Sequence, residues 1–312
     1  MKPDESSAAF TFYDRLITGF AGVADGGRPL YELAAPARPL VDDLSDLPPD
    51  ATFLRTADTP KSLGRLEAAA HLVAVWASSP SPELLEVIAR LPRLRAVYVQ
   101  NLRRVDIRPL ARCASVEHLL VTWAPNQADI GFLADMPSLR ILCLDDLKRL
   151  NLQTLPTLPN LTALNLSGGI WSTLKIPSIA PLGRLPNLRY LMLSNVRPAD
   201  RRLMPLAKLQ GLRTLELPNF FELEEFARLA AALPEAKGRG LTPFFTEARI
   251  DSRGEPVFAC KQCGGSKVMM TGRPAVVLCS SCDSTKIAKR VTRWELAYSA
   301  QSAHESTTRG GA

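Results

Sequence analysis

The sequence predicts a repeat solenoid of about seven units, followed by a small cysteine-rich domain. A phrase of the form L-x-x-L-x-L-x-N recurs seven times, with tolerated substitutions, and successive phrases begin 22 to 27 residues apart. Their first residues are Leu72, Leu94, Val116, Leu139, Leu161, Leu188 and Leu212. Self-similarity at such a period is the signature of a stacked repeat protein. Two Cys-x-x-Cys pairs near the C-terminus mark the second unit.

Stacking gives each position of the phrase a role. A single repeat cannot bury its own leucines, whereas stacked repeats bury them against their neighbours. We therefore expect the first, fourth and sixth residues to point into the core and the asparagine position to turn the chain. Asn101 and Asn195 fill that position, whereas Trp123 is a poor match for it. Between two of the phrases, SPELLEVIARL predicts a helix that Ser81 caps.

Some of the segments between the phrases carry a longer motif. VDIRPLARCASV (from Val105) and ADIGFLADMPSL (from Ala128) follow the pattern D-[IL]-x-P-L-x-x-L-x-x-L, with substitutions. With this motif, residues 66–235 resemble the leucine-rich-repeat family, and most closely its short internalin-like class. The resemblance implies an α/β solenoid, in which a curved parallel sheet has one strand per repeat on the concave face and loops or short helices on the convex face. Internalins are secreted, and only their architecture is carried over.

Composition indicates a globular protein without a membrane segment. Of the 312 residues, 46% are hydrophobic and 22% are charged, which is ordinary for a soluble chain. No run approaches the ~18 consecutive apolar residues of a membrane span, and the polar start MKPDESSAAF is unlike a signal peptide. We therefore expect a cytoplasmic protein, in which paired cysteines bind metal rather than form disulfides.

Both ends of a solenoid expose core and need a cap. At the N-terminal end we expect residues 1–65 to provide it, with a helix in SAAFTFYDRLITGFAG and an edge strand in ATFLRTAD. At the other end, apolar residues recur every three or four positions from Phe220 to Leu233 and predict an amphipathic helix. Asn219 is the expected N-cap of that helix, with Glu222 three residues later as in a capping box.

The concave face is the expected partner surface. Alternation along each strand sends the third, fifth and seventh residues of a phrase to that face. Several of these residues are aromatic or large and apolar, as is typical of interaction hot spots. The predicted partner-binding residues are Trp76, Tyr98, Leu120, Ile141, Tyr190 and Met192, with Trp171 in the repeat that is five residues too long. Alternatively, Trp76 packs beneath the N-terminal cap and Trp171 folds back to fill its own repeat.

Few residues resemble a catalytic site. His118 and Cys143 offer a potential base and nucleophile on the concave side, but nothing else completes an acyl-transfer site. The stretch SGGIW (from Ser167) lacks the Gly-Lys-Ser/Thr that a phosphate-binding loop needs. We therefore expect a protein without enzymatic activity.

The two cysteine pairs predict a metal site. The candidate ligands are Cys260, Cys263, Cys279 and Cys282. Their spacing favours tetrahedral Zn²⁺, and residues 256–283 resemble a zinc ribbon. Four thiolates close the coordination shell, whereas a catalytic zinc keeps one position open for water. We expect one structural zinc ion that stabilises a segment with little core. A thioredoxin-like redox role is the weaker alternative, because neither pair opens a helix of a βαβ unit.

A basic helix is predicted after the second cysteine pair. Residues 236–312 hold 12 Lys and Arg against 6 Asp and Glu, and thus six of the seven net positive charges. The basic stripe of the helix consists of Lys286, Lys289, Arg290 and Arg293. Its apolar face consists of Ile287, Val291, Trp294 and Tyr298. The stripe is either a nucleic-acid contact or a solvated face beside a docked apolar surface.

Four parts of the chain follow from these patterns. They are an N-terminal cap (1–65), the solenoid with its capping helix (66–235), the zinc ribbon with its basic helix (236–298) and a disordered tail (299–312). The favoured function is that of a non-enzymatic interaction protein that binds an unidentified protein on its concave face. The alternative is a nucleic-acid-associated adaptor that uses the ribbon and the basic helix.

Overall fold

The computed structural model describes residues 40–102, 105–124, 126, 129–147, 149–168, 172–246 and 259–309. The helix expected near the start of the chain and the predicted contact residue Trp171 lie outside these ranges. Among the described residues, no helix is both long enough and apolar enough to cross a membrane.

The secondary structure alternates strands with short helices. The strands are β1 (Phe53–Ala57), β2 (Ala74–Ser78), β3 (Ala96–Gln100), β4 (His118–Thr122), β5 (Ile141–Leu144), β6 (Ala163–Ser167), β7 (Leu174–Ile176), β8 (Tyr190–Ser194), β9 (Val196–Pro198), β10 (Thr214–Glu216), β11 (Phe244–Phe245), β12 (Lys267–Met270) and β13 (Val277–Cys279). The α-helices are α1 (Gly64–Glu67), α2 (Pro82–Ile88), α3 (Leu223–Ala232) and α4 (Ser284–Arg309). Short 3-10 helices span Leu44–Asp46, Arg108–Arg112, Gly131–Asp135, Leu152–Thr157, Ala180–Arg184 and Met204–Lys208.

Eight strands form one parallel sheet, and the predicted leucine-rich-repeat solenoid is confirmed. The strand order is β1-β2-β3-β4-β5-β6-β8-β10, so that each repeat pairs with the next. The register is regular, since Ala74 pairs with Ala96 and Ala96 pairs with His118. Seven strands come from the predicted phrases, and the predicted edge strand adds β1 as an eighth. β7 and β9 pair with each other in a separate two-stranded sheet.

Side chains alternate between two buried layers along the strands. Val75 and Ala77 of β2 point into the main core, which contains the leucines of the repeated phrase. Trp76, between them, points to the opposite face and joins a second apolar cluster. Because successive side chains of a strand leave on opposite faces, the period-two pattern places them in separate layers.

The asparagine position of the repeats holds a left-handed backbone conformation. The φ angle is 61° at Asn101, 54° at Asp146 and 50° at Asn195. Asn and Asp tolerate this region because their short side chains bond to the nearby backbone. Trp123 occupies the same position with φ 52° and is 37% exposed, although a bulky residue there costs about 1–3 kcal/mol.

The convex side is built from short helices. The predicted cap of α2 is confirmed, since Oγ of Ser81 accepts a hydrogen bond of 3.2 Å from the amide of Leu84. Several later repeats have a 3-10 helix in this place. Pro109, Pro181 and Pro205 lie in the first turn of such helices, where a missing N–H group costs little.

Two expectations about the C-terminal helices are wrong. α3 begins at Leu223, and its N-cap residue, Glu222, makes no side-chain capping bond. Asn219 lies three residues before that position, and its side chain bonds elsewhere. α4 continues to Arg309, so residues 299–309 are helical where the sequence predicts disorder. The segment contains neither Pro nor Gly before Gly310, so no helix-breaking residue ends α4 earlier.

Candidate functional site

Four cysteines converge in the C-terminal module, which we define as residues 259–309. The Sγ atoms of Cys260, Cys263, Cys279 and Cys282 all lie within 4.8 Å of one another. The Sγ atoms of Cys263 and Cys279 are 3.4 Å apart, and none of the four residues forms a disulfide. The first pair precedes β12, whereas Cys279 ends β13 and Cys282 lies two residues before α4. The fold therefore brings together all four predicted ligands.

Backbone amides point at the sulfur atoms. The amides of Gly265 and Cys282 lie 3.4 Å from the Sγ atoms of Cys263 and Cys279, respectively. Hydrogen bonds from the backbone of Cys282 and Ser281 lower the pKa of Cys279 to about 6. Hydrogen bonds and charges of the neighbouring thiols raise the pKa of Cys282 to about 12. Like charges this close oppose one another, and a cation among them would let all four thiols ionise together.

The donor set fits a metal ion. Four soft thiolates in a compact group suit zinc or an iron–sulfur centre rather than magnesium or calcium. Gly264 turns the chain after the first pair with φ 70°, a conformation that glycine adopts readily. These four residues could hold one ion, and a four-thiolate shell leaves no open position for a substrate or water.

The turn between β12 and β13 contacts the chain just before the capping helix α3. Asn219 donates from Nδ2 to the carbonyl of Met270 at 2.8 Å, and its Oδ1 accepts from the amide of Gly272 at 2.5 Å. In addition, the amide of Arg273 donates to the carbonyl of Phe221 at 2.9 Å. The module is therefore hydrogen-bonded to the last part of the solenoid.

α4 makes a second set of contacts, because it packs along α3. Trp294 is 4% exposed and belongs to the main core of the solenoid. Arg293 pairs with Glu224 of α3. Arg290 donates to two carbonyls of the β12–β13 turn, at 3.0 and 3.2 Å.

These contacts use part of the predicted basic stripe. Arg290 and Arg293 bond within the chain, and Nζ of Lys286 lies 2.7 Å from the carboxylate of Asp283. Lys289 lies on the surface. On the predicted apolar face Trp294 is buried, whereas Tyr298 is 37% exposed. The stripe therefore borders a docked face, as the second of the two interpretations expects.

On the opposite side of the sheet, four predicted contact residues lie in one buried group. This concave cluster consists of Ala74, Trp76, Ala96, Tyr98, Leu120, Ile141, Cys143 and Ala163. The rings of Trp76 and Tyr98 have centroids 3.7 Å apart, and Trp76, Tyr98, Leu120 and Ile141 are at most 4% exposed. Trp76 and Tyr98 are therefore neighbours, and both are buried rather than open to solvent.

The concave face is more open toward its C-terminal end. Tyr190 and Met192 of β8 are half-buried and pack against the edge of the concave cluster. Glu216 of β10 continues this surface, and a small pocket lies along β6, β8 and β10. Burial raises the pKa of Glu216, whose carboxylate lies 3.9 Å from Nε of Arg239. Asn165 borders the pocket, and among the described residues its buried Oδ1 has no hydrogen-bond partner.

The ionisation of His118 and Cys143 does not suit nucleophilic catalysis. Burial raises the pKa of Cys143 to about 12 and lowers that of His118 to about 3. A thiol nucleophile instead needs a lowered pKa and an effective base beside it. Nδ2 of Asn165 bonds to Sγ of Cys143 at 3.1 Å. The two residues are part of a buried layer.

Sequence reasoning missed two residues that join the module to the solenoid. Asn219 stands at the turn position of the last phrase and is expected to cap a helix, which hides its long-range role. Gly272 has φ 85°, and a Cβ at this residue would lie 2.5 Å from Cα of Leu223. Gly272 lies in the stretch TGRP (from Thr271), whose Gly and Pro indicate a turn, but the sequence does not reveal which backbone approaches it.

No protein-family model matches the chain, and no curated protein matches it. Among solved structures, a leucine-rich-repeat protein of Leptospira interrogans has a TM-score of 0.49 and 16% identity, over 64% of this chain and 52% of that one. Internalin C2 of Listeria monocytogenes has a TM-score of 0.40 and 21% identity, over 56% and 72%. The plant peptide hormone receptor RGFR1, in complex with RGF2, has a TM-score of 0.41 and 14% identity, over 59% and 30%. The chain thus spans about half of the Leptospira protein.

Proposed function

We propose that this protein is a non-enzymatic interaction module that binds a protein partner on the concave face of its repeats. The observation that carries the proposal is the half-buried, partly apolar surface at the C-terminal end of that face. Tyr190 and Met192 are the predicted contact residues on it, and Glu216 adds a carboxylate beside them. A partner that covers this surface would gain apolar burial from the ring and the thioether together with a polar contact.

The residues of the concave cluster are not the first contacts in this proposal. Trp76, Tyr98, Leu120 and Ile141 are too deeply buried to touch a partner that docks on the protein as described. They remain candidate contacts for a partner whose binding exposes them. Trp171 stays a candidate on sequence grounds alone. In this proposal Tyr190 and Met192 make the first contact.

The metal in this proposal is a single structural Zn²⁺ at Cys260, Cys263, Cys279 and Cys282. Four thiolates within 4.8 Å of one another are the supporting observation, because zinc prefers a closed tetrahedral sulfur shell in structural sites. When bound, the ion supplies a fixed link between four chain positions and no catalytic step.

The nucleic-acid alternative has less support. Three of the four basic residues that it requires, Arg290, Arg293 and Lys286, bond inside the protein. A phosphate contact would have to replace these bonds or rely on Lys289. Affinity for phosphate backbones rises with the number of cations that contact it, so the stripe favours docking over nucleic-acid binding.

Affinity purification from the native host, with quantitative mass spectrometry, tests the proposed surface. We expect the double variant Tyr190→Ala/Met192→Ala to lose at least tenfold of a specific partner, since each truncation at a hot spot costs on the order of 1–2 kcal/mol. Leu296→Ala is the matched control, because Leu296 is an exposed apolar residue on α4. Equal recovery of every partner by the two variants, at unchanged thermal stability, would contradict the proposed surface.

A further inference from the structure

We propose that the C-terminal module is the terminal cap of the solenoid, and that a metal ion at its four cysteines holds this cap in place. This inference rests on the metal site proposed above. The last repeat of a solenoid exposes its core unless something covers it. Here β10 and α3 end the repeats, and the module lies against α3 and the residues just before it.

The module reaches the end of the solenoid through two separate arms. The β12–β13 turn is the first arm and bonds to Asn219 through two backbone groups. α4 is the second arm and places Trp294 in the main core, with Arg293 paired to Glu224. Both arms meet the solenoid where α3 begins. For both to make their contacts at once, the hairpin and α4 must keep a fixed relative orientation.

The four cysteines lie where these arms join. Cys279 ends β13, and Cys282 lies two residues before α4. The carboxylate of Asp283 accepts a hydrogen bond of 3.1 Å from the amide of Cys279. An ion that binds both Cys279 and Cys282, together with the first pair, would fix the angle between the hairpin and the helix. The ion would therefore determine whether both arms can contact α3 at once.

The module has little apolar core of its own with which to fix that angle. Val268 and Met270 of β12 are buried, whereas the main buried apolar residue of α4, Trp294, packs into the solenoid. Structural zinc contributes much of the folding free energy of domains this small. The docked position of the cap should therefore depend on the metal.

Thermodynamic linkage turns this dependence into a measurable effect. If the metal favours docking, then docking favours the metal by the same factor. A substitution in the solenoid that weakens docking should therefore weaken metal binding, even though it touches no ligand. Asn219 suits this test, because it lies on the solenoid side and its side chain bonds to Met270 and Gly272 of the hairpin.

The experiment measures Zn²⁺ affinity of the full chain by competition with a chromophoric chelator. We expect Asn219→Ala to bind zinc on the order of tenfold more weakly, because two hydrogen bonds of the docked state are lost. Asn187→Ala is the matched control. Asn187 also donates to a backbone carbonyl, that of Pro159 at 2.8 Å, but on a part of the solenoid away from the module. Glu224→Gln provides a second docking variant on α3.

Hydrogen exchange in the full chain measures the reverse effect. Removal of zinc by a chelator should speed amide exchange in α3 at least tenfold while leaving β3 unchanged. Equal zinc affinity of Asn219→Ala and Asn187→Ala, with exchange in α3 insensitive to zinc, would overturn the inference. Absence of zinc binding by the unaltered chain would overturn the metal site as well, so the two failures are distinguishable.

Discussion

Single residues decide how each repeat turns after its strand. Asn195 shows both parts of this role, since its backbone has φ 50° and its side chain is bonded on both sides. Nδ2 donates to the carbonyl of Ser172 at 2.9 Å, and Oδ1 accepts from the hydroxyl of Thr173 at 3.1 Å. The repeated phrase predicts this position, because Asn tolerates left-handed backbone and bonds locally. Trp123, at the equivalent position, breaks the rule with φ 52°.

Two substitutions of Asn195 should distinguish the contribution of its backbone conformation to stability from that of its side-chain hydrogen bonds. We expect Asn195→Ala to lower the free energy of unfolding by about 2–3 kcal/mol, because it loses the hydrogen bonds and strains the backbone. Asn195→Gly should cost about 1 kcal/mol less, because glycine accepts positive φ. Urea denaturation measures both values. Equal losses for the two variants would mean that the left-handed backbone carries no penalty here.

At the scale of elements, the strands were easier to predict than the helices. The same phrase occurs seven times, and each copy predicts one strand. All seven strands appear in the sheet. Helical segments recur less regularly in the sequence, and their prediction depends on recognising the residues that cap their ends. Ser81 provides a recognisable N-cap for α2, and that prediction is confirmed. The N-cap position of α3 is Glu222, which makes no side-chain capping bond. The predicted cap, Asn219, bonds instead to the hairpin, about fifty positions away in the chain.

The capping bond of α2 can be tested by itself. We expect Ser81→Ala to lower the free energy of unfolding by about 1 kcal/mol, because the amide of Leu84 loses its acceptor. Ser81→Asp should keep most of the stability, since aspartate is an equally good N-cap and its charge suits a helix N-terminus. Thermal or chemical unfolding would show the difference. If both variants lose the same amount, the cap is not what stabilises this end of α2.

For the whole molecule, the sequence predicts the sheet and the cysteine cluster but not what surrounds them. The pattern of alternating apolar residues is the same for a concave face in solvent and for one that is covered, so the burial of Trp76 and Tyr98 could not be derived from it. The docking of the module depends on contacts such as Arg293 with Glu224, which are 69 positions apart. No local pattern encodes a pair at that separation.

Burial of His118 should make the stability of the whole protein depend on pH. Its pKa is lowered from 6.5 to about 3, first by desolvation and then by the charges of Arg140 and Arg95. The unfolded chain therefore binds a proton below about pH 6.5 that the folded chain does not, so stability falls as pH falls toward 3. From pH 7.5 to 5, this residue should cost about 1–2 kcal/mol.

The His118→Gln variant should lose less stability than the unaltered protein over this range, as measured by urea unfolding at each pH. The comparison cancels acid release of metal, which affects both proteins. His71→Gln is the control, because His71 lies on the surface, and it should follow the unaltered protein. Parallel pH profiles for His118→Gln and the unaltered protein would show that His118 does not bind a proton on unfolding.

The regular strand order also has a consequence for how the chain is made. Each strand of the large sheet pairs with a strand only 21 to 27 positions away, so every pairing closes a loop of similar and modest length. Repeats of this kind can fold one after another as they leave the ribosome, and N-terminal parts fold first during synthesis. The cysteine module follows all of them in the chain. During every round of translation, α3 therefore has no module to dock against until the last fifth of the protein has emerged.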